Sequence, residues 1–267
     1  MNKPTTFESL MNSVLYHHDL RNIFEDFLTL SLCAFSFNPQ TQKSHEEELY
    51  LETIDKYAKE ETQFLFPKLL AALVVEMENQ NNAFGTDVLG NYYELNFSKK
   101  RSSQYFTPWH ICEFMSRITS TEHVRKPDGS PIRILDPACG SGRMLLAGAK
   151  NFGRREEYYG IDIDPTCVKM TAMNLFLNGL FDAEVMCADA LSPVGFKFSY
   201  RTSFLPLGVF KITNKEDSKL WHLHQQSFAE QFTTAEKAKT SVSKEGLILP
   251  SKQSSIIPND GSQLTFF

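Results

Sequence analysis

Three aspartates and a glycine loop carry the clearest chemistry in this sequence. Asp136-Pro137-Ala138-Cys139-Gly140-Ser141-Gly142 follows a strand-like run and opens a helix-like one. Gly140 and Gly142 permit the sharp turn and close backbone approach that a ligand-cradling loop needs. The start of the following helix offers N–H groups to a carboxylate or phosphate. Asp162, in Gly160-Ile161-Asp162-Ile163-Asp164-Pro165, stands 26 residues after Asp136. An acid about 20 residues beyond such a loop accepts hydrogen bonds from ribose hydroxyls. Asp189, in Cys187-Ala188-Asp189-Ala190, ends the next strand-like run and is a candidate acceptor for an adenine amino group. Ile163 and Ala190 flank these two acids as further candidate contacts. Leu145 stands where a dinucleotide loop has its third glycine. A nucleoside with a carboxylate-bearing tail therefore fits better than a dinucleotide.

These residues need a scaffold to hold them in line. Segments 132–135, 158–163 and 184–187 read as strands, and 142–150 and 165–178 as helices. Such a β-α-β-α-β series predicts a parallel sheet with crossover helices. Upstream, Thr107-Pro108 predicts a helix start, with Thr107 as N-cap and Pro108 at the first helical position. Ile111, Phe114, Met115 and Ile118 give that helix one apolar face. Lys126-Pro127-Asp128-Gly129-Ser130 predicts a turn. Beyond Ser192 the pattern weakens: 204–212 predicts one or two strands and 218–232 a helix.

Residues 10–95 predict helices. Phe24, Phe27, Leu28 and Leu30 to Leu32 recur at helical spacing, 46–59 is charged and amphipathic, and 69–77 is apolar on nearly every side, as a buried central helix would be. Asn79, Asn81, Asn82 and Gly85 punctuate its end. Lys99-Lys100-Arg101-Ser102-Ser103 reads as a linker. The division that follows is a helical subdomain at 1–98, an α/β core at 99–232, and a flexible Ser/Lys/Thr/Gln-rich tail at 233–267.

Composition excludes several classes. With 42% hydrophobic and 22% charged residues the chain is neither disordered nor fibrous. Residues 1–98 carry 6 Lys/Arg against 15 Asp/Glu, and 99–267 carry 21 against 17. A polyanion should therefore meet the second half. Five cysteines, with no Cys-x-x-Cys and no zinc-ligand spacing, predict buried reduced thiols, no metal and a cytoplasmic protein. No signal-peptide pattern opens the chain, and the apolar stretch 64–77 is too short to span a bilayer, so no membrane partner is expected.

Asp136 to Gly142 resembles the S-adenosylmethionine motif of adenine-N6 DNA methyltransferases. It is especially similar to the modification subunits of type I restriction-modification systems. Gln104-Tyr105-Phe106-Thr107-Pro108 resembles that family's Gln-Phe/Tyr-Phe-Thr-Pro segment, and its place before the glycine loop matches the gamma motif order. The resemblance covers about residues 100–192. It implies a Rossmann-like, S-adenosylmethionine-dependent methyltransferase core with an N-terminal helical subdomain. It implies that Tyr105, Thr107 and the loop residues Asp136, Pro137, Ala138, Gly140, Ser141 and Gly142 line the methionine end of the cofactor. Asp162 would hold the ribose and Asp189 the adenine. S-adenosylhomocysteine would be the product, and DNA, with a specificity or catalytic subunit, the partner.

One family element is absent. Adenine N6 is a poor nucleophile, and the family answers with Asn/Asp/Ser-Pro-Pro-aromatic at the end of the fourth strand, whose oxygen acceptors bind the amino hydrogens while the ring stacks on the flipped base. Asn38-Pro39-Gln40 precedes the whole core. Ser192-Pro193-Val194-Gly195-Phe196 begins three residues after Asp189, which leaves no room for a crossover helix and fourth strand. Phe204-Leu205-Pro206-Leu207 has no polar acceptor. The catalytic residues are thus unassigned. The chain methylates adenine N6 through a divergent or borrowed loop, or it is a catalytically silent cofactor-binding module for DNA or partner association. Methylation of a small molecule is a third, weaker alternative, against which the form of the loop argues by resemblance.

Three further features leave alternatives open. Lys99, Lys100, Arg101, Arg117, Arg125, Lys126, Arg133, Arg143, Arg154 and Arg155 either neutralise phosphates or form a solvated face. Tyr105 and Trp109 either stack on a base or pack in the core. The chain closes on Gln263, Leu264, Thr265, Phe266 and Phe267. This peptide resembles those that dock on the bacterial sliding clamp, or it forms a C-terminal strand on the protein's own core.

Overall fold

The computed structural model describes residues 6–14, 18–40, 44–58, 61–79, 87–98, 105–119, 128–242 and 265–266. Its N-terminal part is helical: α1 (Phe7–Asn12), α2 (Leu20–Ala34), α3 (Glu47–Asp55), α4 (Leu65–Asn79) and α5 (Val88–Tyr93), which runs into a π-helical turn, Glu94–Ser98. Thr6, Asp19 and Asp87 cap their helices by accepting the N–H groups of Ser9, Asn22 and Gly90, which satisfies first-turn donors that have no partner within the helix. Aromatic rings hold the bundle together. Phe7 lies 5.2 Å from Phe27 and 5.4 Å from Tyr92, and Phe24 lies 5.6 Å from Phe97.

One prediction for this region needs correction. α4 is not buried all round: Leu65, Phe66, Leu69, Ala72 and Leu73 are inside, whereas Pro67, Lys68, Ala71 and Val75 are exposed. Its apolar residues exceed what its single packed stripe can cover.

Downstream, α6 (Trp109–Thr119) precedes β1 (Arg133–Asp136), α7 (Arg143–Phe152), β2 (Glu157–Asp162), α8 (Pro165–Leu177) and β3 (Glu184–Cys187). Then come β4 (Phe198–Thr202), β5 (Val209–Ile212), α9 (Lys219–Val242) and β6 (Thr265–Phe266). The strands form one sheet in the order β5-β4-β3-β2-β1-β6. β1, β2, β3 and β6 are parallel, while β4 pairs antiparallel with both of its neighbours, β3 and β5.

Strand alternation divides the core between the two faces of the sheet. Ile134, Tyr158, Val185 and Cys187 face α7, α8 and the N-terminal helices, forming one continuous cluster with Phe24, Leu28, Leu146, Val168 and Met173. Leu135, Tyr159, Ile161 and Met186 face the other way, against Leu220, Trp221 and Leu223 of α9. Both crossover helices lie on one face because the chain steps from β1 to β2 to β3 in one direction with a constant hand. The fold is α/β and Rossmann-like, with a helical N-terminal part that shares its core.

Three differences from the sequence reading stand out beyond β3. The sheet is mixed, since β4 turns back antiparallel on β3. The stretch 204–212 holds one strand, Val209–Ile212, and the strand Phe198–Thr202 was not expected. Phe198 and Tyr200 give it a short apolar alternation on the core face, but its buried Ser199 and Thr202 are polar. They are inside because Ser199 donates to buried Glu184 at 2.8 Å and Thr202 to the Leu180 carbonyl at 2.7 Å. Helix α9 also runs on to Val242, ten residues past the predicted end at 232.

Helix α6 corrects a further assumption. Pro108 supplies its first carbonyl acceptor, to the Ile111 and Cys112 N–H groups, so the helix begins one residue later than Thr107-Pro108 suggested. It packs through small residues. Cys112 and Ser116 are fully buried against α7, where Ser116 Oγ donates to the Ala147 carbonyl at 3.1 Å. The apolar face of Ile111, Phe114, Met115 and Ile118 is exposed among the described residues, Phe114 by 62%. The turn prediction holds for Asp128, whose carboxylate caps Ser130, while Lys126 and Pro127 lie outside the described residues. The linker Lys99 to Ser103, and Gln104, Asn81, Asn82 and Gly85, also lie outside them. No described helix is long and apolar enough to cross a membrane.

Candidate functional site

The strand register assembles the predicted acids. Asp136 pairs with Gly160 across β1 and β2, and Asp162 with Cys187 across β2 and β3. The carboxyl ends of the three strands therefore lie side by side, with Asp162 two residues beyond the partner of Asp136 and Asp189 two residues beyond the partner of Asp162. β1 has β2 on one side and β6 on the other, so the strand order reverses there. The crevice outside such a switch point is where open α/β sheets bind ligands.

The glycine loop is built by its own hydrogen bonds. The Cys139 N–H reaches the Ile161 carbonyl at 2.9 Å, which ties the loop to β2, and the Gly142 N–H closes back on the Cys139 carbonyl at 2.7 Å. Gly140 has φ of 55°, a conformation that side chains disfavour. A Cβ there would stand 2.7 Å from the Phe106 ring. Helix α7 then starts at Gly142 with no side-chain cap, which leaves its first-turn donors for the backbone, solvent or a ligand.

Asp136 Oδ1 accepts the Ala138 N–H at 3.1 Å. Burial pushes the Asp136 carboxyl up to about 6, with Asp162 adding to the rise and the Ala138 bond opposing it. Asp162 Oδ2 accepts the Gly140 N–H at 2.8 Å, and Oδ1 accepts the Asp164 N–H at 2.9 Å. Burial raises its pKa against these bonds. Asp164 caps α8 by accepting the Thr166 N–H, and Pro165 occupies the first turn. Asp189 is exposed and accepts the Leu191 N–H at 2.9 Å. Ile163 and Leu191, beside these acids, are exposed by 61% and 89%. Ala190 is half-buried. A nucleoside fits this arrangement: each Asp162 oxygen keeps a second lone pair for a hydroxyl, and the exposed apolar groups offer a flat ring its cover.

Tyr105 and Thr107 are exposed, so the structure brings their segment to the loop chiefly through Phe106. The Phe106 ring stacks on Tyr93 at 5.6 Å. Trp109 is partly buried against Met144 and Ala147, the core-packing alternative.

Sequence reasoning missed a polar hub behind the loop. Asp87 accepts Ser141 Oγ and Arg143 Nε, each at 2.6 Å, and Asn174 Nδ2 at 2.8 Å. Arg143 also donates to Asn91 at 2.9 Å and Glu94 at 2.8 Å. Arg143 is thus no part of a phosphate-binding surface: it is 6% exposed and paired. A signal was present, because a cation at a helix N-terminus opposes the helix dipole and calls for a dedicated acidic partner. Of the other expected basic residues, Arg133 pairs with Glu157 at 3.1 Å, Arg155 is exposed, and Lys99, Lys100, Arg101, Arg125 and Lys126 lie outside the described residues.

The loop thiol is held protonated. Cys139 is buried, and burial with the nearby Asp162 and Asp136 pushes its thiol well up. Burial likewise pushes Cys112 up to about 11. Among the described residues no cluster of His, Cys, Asp and Glu is placed to hold a metal. Ser192-Pro193 lies in the β3–β4 loop, where Ser192 Oγ accepts the Val194 N–H and the Pro193 carbonyl accepts Gln225. It is not at the end of a parallel strand. The sheet position beyond β1 is filled by β6 instead, where Thr265 pairs with Ile134 and Phe266 with Leu135. Gln263, Leu264 and Phe267 lie outside the described residues.

Comparison with known proteins adds a family. The chain is 34% identical over 120 residues to the Type I restriction enzyme HindI methylase subunit of Haemophilus influenzae, covering 40% of this chain and 25% of that one. It is 30% identical over 118 residues to the Type I restriction enzyme MpnII methylase subunit of Mycoplasma pneumoniae, covering 40% of this chain and 21% of that one. It thus spans only about a quarter of these curated relatives or less. A type I restriction-modification system methyltransferase subunit from Streptococcus thermophilus superimposes with a TM-score of 0.34 at 16% identity, over 68% of this chain and 58% of that one. The N-6 DNA Methylase family model matches residues 85–232, more than half of the chain and all of the loop, strand ends and polar hub described above. The chain belongs to the N-6 DNA Methylase family.

Proposed function

We propose that this chain is the cofactor-binding core of an S-adenosylmethionine-dependent DNA methyltransferase that acts on adenine N6. One observation supports the reading: the glycine loop and the acids Asp136, Asp162 and Asp189 lie at or just beyond the carboxyl ends of the adjacent parallel strands β1, β2 and β3, beside the switch point of the sheet. When bound, S-adenosylmethionine supplies an electrophilic methyl group on its sulfonium. The chain's own residues bind and orient it. Asp162 accepts from the ribose hydroxyls, Asp189 from the adenine amino group, and Thr107 with residues 136–142 surrounds the methionine end. Ile163 and Leu191 cover the adenine ring.

The acceptor for the target amino group comes from outside this arrangement. A partner subunit bringing that loop agrees with the relatives being named as subunits. Pairing of Thr265 and Phe266 with β1 favours a terminal strand over a clamp-docking peptide. The missing tetrapeptide also favours a second reading, a silent cofactor-binding module for DNA or partner association.

The test needs no recognition sequence. The chain is expressed in cells devoid of adenine methylation, with Asp162→Ala as control, and N6-methyladenine in their digested DNA is quantified by mass spectrometry. Methylation that depends on Asp162 supports the enzyme. Its absence, with S-adenosylmethionine still bound, supports the module, and loss of binding overturns both.

A further inference from the structure

We infer that Asp87 and Arg143 form a latch through which the helical N-terminal part sets the shape of the cofactor loop. The inference rests on the cofactor reading above, but the geometry stands apart from it. One carboxylate, 4% exposed, takes four hydrogen bonds. The Gly90 N–H comes from α5, Ser141 Oγ from the loop, Arg143 Nε from α7 and Asn174 Nδ2 from α8. Asn174 Nδ2 also donates to the Ser141 carbonyl at 2.8 Å.

Arg143 carries the connection to the second wall of the site. Its guanidinium reaches Glu94 at 2.8 Å, and the other Glu94 oxygen accepts the Phe106 N–H at 2.9 Å. It lies 5.4 Å from the centre of the Phe106 ring, the ring that covers Gly140. The loop and the 105–108 segment are therefore held to the two ends of one short helix, residues 87–94, by charged hydrogen bonds. Buried carboxylate–guanidinium pairs fix geometry tightly because any rearrangement strands a charge in a low dielectric. Packing at Gly90 enforces the arrangement. A Cβ there would meet Asp87 Oδ2 at 2.0 Å and Ser141 Oγ at 2.5 Å. Asp87 and Arg143 are thus positioning residues: neither is proposed to touch the cofactor, and both set the loop that does.

The test combines two measurements on the full chain. Asp87→Asn removes the charge facing Arg143 and replaces one of two accepting oxygens by a donor, so either Ser141 and Arg143 or Gly90 and Asn174 lose their acceptor. We expect it to weaken S-adenosylhomocysteine binding about tenfold or more by calorimetry on folded protein, and to speed amide exchange at Gly140 to Gly142 at least tenfold without nucleoside, with β2 and β3 unchanged. A purely structural role would speed exchange throughout the sheet and leave the affinity of the folded fraction unaltered, and that result overturns the latch. Unchanged loop exchange also overturns it. If Asp87→Asn does not fold, Glu94→Gln, at the outer end of the network, must move loop exchange in the same direction. If the wild-type chain binds no S-adenosylhomocysteine while the variant still loosens the loop alone, the latch stands and the cofactor reading fails.

Discussion

The Asp162 carboxylate accepts the Gly140 amide at 2.8 Å, so the acid proposed to read the ribose is also a strut of the loop proposed to hold the methionine end. The two halves of the site cannot be perturbed separately from this side chain. Asp162→Asn retains an oxygen acceptor but loses the charge, and Asp162→Ala loses both. Hydrogen bonds to a charged group contribute about 1.5–3 kcal/mol each, and about 1.4 kcal/mol is a tenfold change in affinity. Titration calorimetry with S-adenosylhomocysteine should therefore rank wild type above Asp162→Asn and Asp162→Ala last, with the alanine variant weaker by at least about tenfold. Equal affinities would remove Asp162 from the site.

Asp136 predicts a pH dependence with a definite sign. Its carboxyl is raised from the ordinary value of 3.8 to about 6, first by burial. Below pH 4 both folded and unfolded chains hold the proton, and the group costs nothing. Between pH 4 and 6 the unfolded chain releases it first, so stability falls as pH rises, and above pH 6 the full penalty remains. A shift of this size corresponds to about 3 kcal/mol at most. Asp136→Asn keeps an acceptor for Ala138 and removes the penalty. Urea denaturation should find the nucleoside-free variant more stable than wild type at pH 7, with the difference shrinking toward pH 4. A difference independent of pH would refute the assignment. Stability given up by an acid at a strand end is what a ligand site would ask of it.

Much of this arrangement is legible from residue order alone. The helix that starts at Pro165 is read from sequence as it stands in space, and Asp136 to Gly142 is local, so its turn needs no distant partner to be recognised. The strand-end positions of Asp162 and Asp189 follow from counting strands. What sequence cannot display is pairing between residues far apart. Asp87 and Arg143 are 56 positions apart, and Arg143 alone reads as one more surface cation. In β4 the alternation of Phe198 and Tyr200 is legible but short, and the burial of its polar Ser199 and Thr202 is not, because their partners Glu184 and Leu180 lie elsewhere in the chain. The apolar stripe of α6 misleads oppositely: apolarity at helical spacing marks a face, but only neighbours decide whether it is covered.

That stripe gives a contrast within one helix. Phe114 and Ile118 are 62% and 59% exposed, whereas Ser116, between them, is fully buried on Ala147. Phe114→Ser with Ile118→Ser should leave the thermal midpoint within the small range expected of surface changes, about 0.5 kcal/mol each. Ser116→Leu inserts a branched side chain where α6 and α7 touch and removes the bonds to Ala147 and Asn151. Overpacking typically costs about 1–3 kcal/mol. Parallel thermal melts decide. If the double variant unfolds before Ser116→Leu, the packed face of α6 has been assigned the wrong way round.

Gly140 tests whether the loop's shape or the ring beside it is limiting. Its φ of 55° penalises any side chain, and the Phe106 ring would stand 2.7 Å from an added Cβ. Gly140→Ala should therefore destabilise through two independent routes, the backbone term amounting to about 1–2 kcal/mol. Phe106→Ala relieves only the steric one. The double variant should recover part of the loss relative to the sum of the single variants, leaving a residue close to the backbone term. Full additivity would mean that Phe106 does not lie over the loop. Complete recovery would mean that the left-handed turn is not strained by alanine. Because Glu94 holds the Phe106 N–H and also binds Arg143, a ring displaced by Gly140→Ala should loosen the latch as well. The coupling should then shrink when Glu94→Gln is introduced, a dependence that a simple clash between two neighbours would lack.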